Sequence, residues 1–303
     1  MIKTKPILVT GAPRSGTTWV GRILGAGPWM RYVHEPFNIS RRPCHCGVHF
    51  QYWFYHLPVD KSHEFKNHLE HVIYPSCSLI GLQNIISETA ASKRIRPLAG
   101  HFLSFAARRV IVKDPIAVFS AETLAHMFEM DVVVLIRHPA AVVNSYKTLE
   151  WTHPFSHFTE QTNLIDTHLS PYRHEIENFT NNEYDIVDQA ALLWKLIHHR
   201  IVEYQKTHPQ WLFIRHEDLA REPVREYLKI FNHLKIPYSK HTYNAIQAHS
   251  LRVQPVNMDL YTTKRNSRQV TTKWKKRLTA AEVTRIRNRV ESVATHFYSE
   301  DEW

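Results

Sequence analysis

The chain has 303 residues, 43% hydrophobic and 22% charged, a balance that suits one large α/β domain or two small ones and excludes wholesale disorder. A net charge of +10 suits an anionic partner: nucleic acid, a phosphorylated cofactor, an acidic glycan or a membrane surface. No stretch approaches the roughly 20 apolar residues of a membrane span, and the apolar run after Lys5 is too short for a signal-peptide core, so a cytoplasmic protein is expected.

The first predicted element is a buried strand from Pro6 to Thr10, followed by a glycine-containing turn and a helix from Thr17 to Leu24 that Gly25, Gly27 and Pro28 terminate. Cys44, His45 and Cys46, with His49 close by, invite a zinc reading. Structural zinc pairs are usually spaced C-x₂₋₄-C with a second pair to follow, which is missing here, so reduced thiols and no metal are expected. Cys77 is the third and last cysteine, too few for a disulfide framework, and the sequons at Asn38 and Asn178 carry no meaning in a protein that is not secreted. Phe50 to His56 is a dense aromatic run, suited to an acceptor pocket, to core packing or to the interface of a homo-oligomer.

Further strands are expected at Val110–Val112 and Val132–Ile136, each leading into a helix: one capped by Ser120 and running through Met130, the next from Pro139 to Leu149. Residues 151–183 read as polar and irregular, a candidate mobile flap. A long helix then carries Ile186, Ala190, Leu193, Ile197, Ile201 and Tyr204 on one stripe, which suits a core. A strand from Trp211 to Ile214 and a helix from Val224 to Leu234 make another β–α step. The final helix opens with a capping box of Thr279 and Glu282. Strands that are apolar throughout and alternate with helices predict an α/β fold. Its centre is a P-loop-like parallel sheet with helices on both faces, in a single domain spanning 1–303.

Gly11-Ala12-Pro13-Arg14-Ser15-Gly16-Thr17-Thr18 lies between the first strand and the first helix, where backbone N–H groups and a helix N-terminus converge on an anion. The pattern matches G-x-x-x-x-G-K-[ST] except that Thr17 stands at the lysine position. That lysine reaches the β- and γ-phosphates in nucleotide triphosphatases, where an aspartate also helps to hold Mg²⁺; here the strand 132–136 ends in Arg137. The loop therefore keeps a phosphate cradle without the apparatus for a metal-bound triphosphate, and Arg14 supplies positive charge inside it. Arg137 at a strand end and Ser145 about two helical turns on suit a second phosphate, separate from the one in the loop.

Together these two clusters resemble the PAPS-dependent sulfotransferase superfamily, whose donor is 3′-phosphoadenosine-5′-phosphosulfate (PAPS) and whose product is the 3′,5′-diphosphate PAP. Pro13 to Trp19 is similar to that family's 5′-phosphosulfate loop, and Arg137 with Ser145 to its 3′-phosphate motif. The resemblance runs from Val9 to about Trp274. Arg14 in place of a loop lysine, and the His34-Glu35-Pro36 turn, look more like the carbohydrate and tyrosylprotein branches than the cytosolic phenol and steroid branch. Lys113-Asp114-Pro115 is similar to a tyrosylprotein-branch segment whose lysine assists catalysis. Thr272-Lys273-Trp274 is similar to the cofactor-covering loop, here near 258–276, whose lysine binds PAPS. Two departures stand out: His216 replaces the tyrosine often found before the acidic pair Glu217-Asp218, and the RKG signature of the cytosolic branch is absent, with Lys264 to Arg268 lying nearby instead.

The resemblance implies in-line transfer of a sulfuryl group to a hydroxyl or amine of a small-molecule or carbohydrate acceptor, with no metal and no nucleic-acid partner. The implied donor-binding residues are Arg14, Ser15, Gly16, Thr17, Thr18, Arg137, Ser145 and Lys273. Arg14 and Lys113 would stabilise charge on the departing diphosphate, and Glu35, with His34 as competitor, would accept the acceptor's proton. Three other readings compete. A nucleotide kinase or triphosphatase would use the same loop, a non-catalytic relative would bind the nucleotide only, and a nucleic-acid-binding protein would use the +10 charge.

Overall fold

Among the described residues, five parallel strands form one sheet in the order β2-β3-β1-β4-β5. They are β1 Ile7–Gly11, β2 Met30–His34, β3 Arg109–Lys113, β4 Asp131–Ile136 and β5 Leu212–Arg215. The computed structural model describes residues 4–40, 50–74, 109–250 and 271–303. Cys44, His45, Cys46, His49, Cys77, Lys264 to Arg268 and the covering segment before residue 271 lie outside the described residues.

Successive residues of a strand point to opposite faces, so strands apolar throughout build two cores. Leu8, Val110, Val112, Val132 and Val134 point into one core, beneath α4 (Pro139–Leu149), α6 (Ile186–Thr207) and α10 (Ala280–Ala294). Ile7, Val9, Ile111, Val133 and Leu135 point into the other, beneath α1 (Thr17–Gly25) and α8 (Pro223–His233). Helices therefore cover both faces, as the strand–helix alternation predicts. The stripe on α6 is core: Ala190, Leu193, Ile197, Ile201 and Tyr204 are all buried. Among the described residues no helix is long and apolar enough to cross a membrane.

Three elements differ from expectation. β2 was not predicted because Arg31 interrupts its apolar pattern. The buried guanidinium of Arg31 donates to the carbonyls of Val72 and Ile73, at the end of α2 (Ser62–Ile73), so a local signal of exposure hides a tertiary contact. Residues 151–183 are not irregular. They hold short turns of helix from Ser156 to Tyr172 and α5 (Arg173–Asn181), with Phe155, Phe158, Leu164, Ile165, Ile176 and Phe179 in the first core. Ser120 precedes α3 (Ala121–Phe128), yet its side chain does not cap that helix. The Ser120 hydroxyl donates to the carbonyl of Tyr55 (2.5 Å) and accepts from the N–H of Leu57 (2.9 Å).

Those two bonds pin the aromatic run to the sheet's first core. Phe50 and Phe54 are buried, Phe50 stacks on Phe37 with ring centroids 4.1 Å apart, and Phe54 packs against Phe119 and Phe158. Packing therefore accounts for the two phenylalanines, while Tyr52, Trp53, Tyr55 and His56 stay half-buried.

Candidate active site

All five strands end on the same edge of the sheet, and every strand end carries a residue singled out from the sequence. β1 leads into the glycine-containing loop, β2 into Glu35, β3 ends in Lys113 and continues to Asp114, β4 leads into Arg137, and β5 into His216. In open parallel sheets this edge is where ligands bind.

The segment from Gly11 to Gly16 takes a backbone conformation that only glycine adopts easily at two points, its first and last residues. Gly11 has φ +128, and a Cβ there would sit 2.2 Å from the carbonyl oxygen of Leu135 on β4. Gly16 has φ +99 and abuts the imidazole of His216. Gly16 also serves as the N-cap of α1 with no side-chain cap, which leaves the N–H groups of the first helical turn, at Thr17 and Thr18, without a capping side chain. Thr17 is buried and Thr18 half-buried. Ser15 is turned inward: its hydroxyl and its N–H both donate to the carbonyl of Ala12, at 2.5 and 3.1 Å, so it braces the loop from within.

Arg14, also at positive φ, joins the two phosphate clusters that the sequence presents as separate. Its Nε donates to Ser145 Oγ at 2.9 Å, and its guanidinium lies 5.6 Å from the ring centroid of Trp151. Arg137 donates in turn to the carbonyl of Arg14. Trp194 on α6 holds the carbonyl of Arg137 from behind with a 2.8 Å bond from its indole N–H. One connected basic patch thus spans the ends of β1 and β4. Trp151 and Trp194 carry no sequence signal for these contacts.

On the other side of β1, Lys113 forms a salt bridge with Glu35 Oε1 and is itself fully buried, while Glu35 keeps 17% of its side chain exposed. Lys113 thus pairs with the carboxylate that follows the neighbouring strand. Burial alone would push the Glu35 carboxyl up, but the charge and hydrogen bond of Lys113, helped by His34 and Asn38, hold it below the ordinary carboxylate range. Asn38 donates to Glu35 Oε2 at 2.7 Å. His34 Nε2 lies 3.9 Å from that same oxygen, and His34 Nδ1 is 3.1 Å from the hydroxyl of Tyr32. Glu35 is therefore an ionised, partly exposed carboxylate with both oxygens oriented.

Lys273 is half-exposed at the start of a tight turn, Lys273–Lys276, anchored by Trp274, which stacks on His138 at 4.9 Å between centroids. Beside it a cavity of about 360 Å³ is lined by His138, Glu217, Thr271, Thr272, Trp274 and Lys275, among others. His216 is buried against the loop, its ring 5.7 Å from that of Trp19, and burial, with Arg137 nearby, pushes its imidazole well below the usual histidine range. Among the described residues no group of three or more His, Cys, Asp and Glu is arranged to hold a metal ion.

The family model of the sulfotransferases matches residues 6–240. Solved structures similar to the chain include the sulfotransferase domain of the Synechococcus PCC 7002 olefin synthase, at 17% identity over 99% of this chain and 98% of that one, with a TM-score of 0.48. Another is the sulfotransferase domain from the curacin biosynthetic pathway, at 14% identity over 95% of this chain and 98% of that one, with a TM-score of 0.49. No curated protein sequence matches.

Proposed function

The chain belongs to the sulfotransferase family, and we propose that it moves the sulfuryl group of PAPS to a hydroxyl or amine of a small-molecule or glycan acceptor without a metal. The observation that carries this reading is the pairing of an ionised carboxylate, Glu35, with a buried lysine, Lys113, on the same sheet edge as the Arg14–Ser145–Arg137 patch. The loop and the first turn of α1 suit the 5′-phosphate of the donor, and Arg137 and Ser145 suit its 3′-phosphate. The cavity beside His138 and Trp274 has room for part of the nucleoside.

In the reaction the acceptor oxygen or nitrogen forms a bond to sulfur as the bond from sulfur to the 5′-phosphate oxygen breaks. Glu35 takes the acceptor's proton, worth about 10²–10⁴-fold. Arg14 and Lys113 supply fixed positive charge for the oxygen that departs with the diphosphate. Thr17 at the lysine position of a nucleotide triphosphatase loop, and Arg137 where an aspartate would help to hold Mg²⁺, favour a metal-free donor over ATP.

Calorimetric titration with PAP and with ATP·Mg²⁺ tests the donor class. PAP is expected to bind in the presence of a chelator and more tightly than ATP·Mg²⁺, and Arg137→Ala to weaken it about 10- to 100-fold, as for loss of a charged hydrogen bond. Tighter binding of ATP·Mg²⁺ would replace this reading with a kinase or triphosphatase.

A further inference from the structure

Asp114 is a fully buried carboxylate that the mechanism above does not use. Its two oxygens are divided between two parts of the chain. Oδ1 accepts from the N–H groups of Ile116 (2.9 Å) and Ala117 (3.3 Å), at the start of the tight helical turn that follows β3. Oδ2 accepts from the N–H of Phe37 (2.7 Å), 77 residues away, in the turn that carries Glu35. Its own N–H donates to the carbonyl of Val9 on β1 (3.0 Å), which fixes the Asp114 backbone to the centre of the sheet.

That turn needs holding. Glu35 sits at φ 49, a left-handed conformation that a residue with a side chain adopts only at a cost. Its N–H donates to the carbonyl of Lys113 (2.8 Å), and the turn closes on itself through the N–H of Asn38 to the carbonyl of Glu35 (3.2 Å). The bond from Phe37 to Asp114 is the tie on the far side of Glu35. Capping the turn at Ile116 alone would not require a carboxylate removed from water, since a hydroxyl or an exposed aspartate caps as well.

From this division we infer that Asp114 is a positioning residue: it clamps the Glu35 turn onto the strand end that bears Lys113, so that carboxylate and ammonium meet. The inference rests on Glu35 serving as the base. It extends that reading to the residue through which β3 sets the orientation of a group on β2's loop.

The test is a double-mutant cycle with Asp114→Asn and Glu35→Gln, using PAPS with water as the acceptor and reading the release of inorganic sulfate, alongside PAP titration of each variant. Asn keeps the size of Asp114 but offers an N–H₂ where one of the two sets of donors needs an acceptor. A displacement of about 1 Å in a reacting group costs about 10²-fold, so Asp114→Asn is expected to lower turnover by about that factor with the affinity for PAP unchanged. In the Glu35→Gln background the same change is expected to alter the residual rate by less than about twofold, because nothing is left for Asp114 to position. Equal losses in both backgrounds, or loss of PAP binding, would make Asp114 a general determinant of the fold and overturn the inference. So would an unimpaired Asp114→Asn beside an impaired Glu35→Gln. A Glu35→Gln enzyme that releases sulfate at the parent rate would instead remove the base assignment, and this inference with it.

Discussion

At the scale of single residues, the candidate site is built from side chains and backbone angles that nearest neighbours in sequence do not explain. Gly16 is the sharpest case. Its φ of +99 places it in the region that favours glycine, and a Cβ would lie 2.6 Å from His216 Nδ1. Gly16→Ala is expected to cost about 1–2 kcal/mol in backbone strain and to push His216 or the loop aside. PAP affinity measured by calorimetry should fall at least tenfold; unchanged affinity would mean that the loop is not the phosphate cradle. The motif identified this loop because its residues are contiguous. What the motif did not show is that Ser15 turns inward, or that Arg14 reaches Ser145 131 residues away. Those contacts depend on rotamers and on a neighbouring strand, neither of which leaves a mark on local spacing.

At the scale of elements, legibility followed the range of the interactions. The capping box at the start of α10 was readable because both partners lie within one turn: Thr279 Oγ1 accepts from the N–H of Glu282, and the Glu282 carboxylate accepts from the N–H of Thr279. Glu282 also pairs with Lys147 on α4, so this cap ties two helices of the same layer. Thr279→Ala should lower the unfolding free energy by about 0.5–2 kcal/mol, read as an earlier denaturant midpoint at unchanged slope. An unchanged midpoint would show that the Lys147 pair and the buried face of α10 hold the helix without its cap. β2 and the helices of 156–181 were missed for the opposite reason. Arg31 is buried by contacts with α2, and Phe155, Phe158, Ile176 and Phe179 find their partners on other elements.

At the scale of the whole molecule, the most deeply buried imidazoles among the described residues shape the response to acid. Burial pushes His138, His153 and His198 down to about 3, and His216 well below the usual range. In the unfolded chain each takes up a proton near 6.5, so the unfolded state binds more protons below that pH and stability falls from about 6.5 towards 3. Two buried carboxyls act in the opposite sense. Burial raises Asp114 to about 7 and also raises Glu217, so their contribution is present at low pH and is lost as pH rises through their folded-state values. Four imidazoles outweigh two carboxyls, and equilibrium unfolding between pH 7 and 5 should show stability declining on acidification. His198→Leu, at a site stacked on Trp194, should make that slope shallower by about one proton; an unchanged slope would mean that His198 is charged in the folded protein. By itself the sequence determined the fold class and the position of the glycine-containing loop between β1 and α1, because apolar strands, helix signals and the loop motif are all written within a few consecutive residues. Only the tertiary structure decided which charges meet. Glu35 and Lys113 lie 78 residues apart and come together because β2 and β3 are paired in parallel register, with His34 opposite Lys113. That register is set by burial over the whole sheet, so no local pattern announces it.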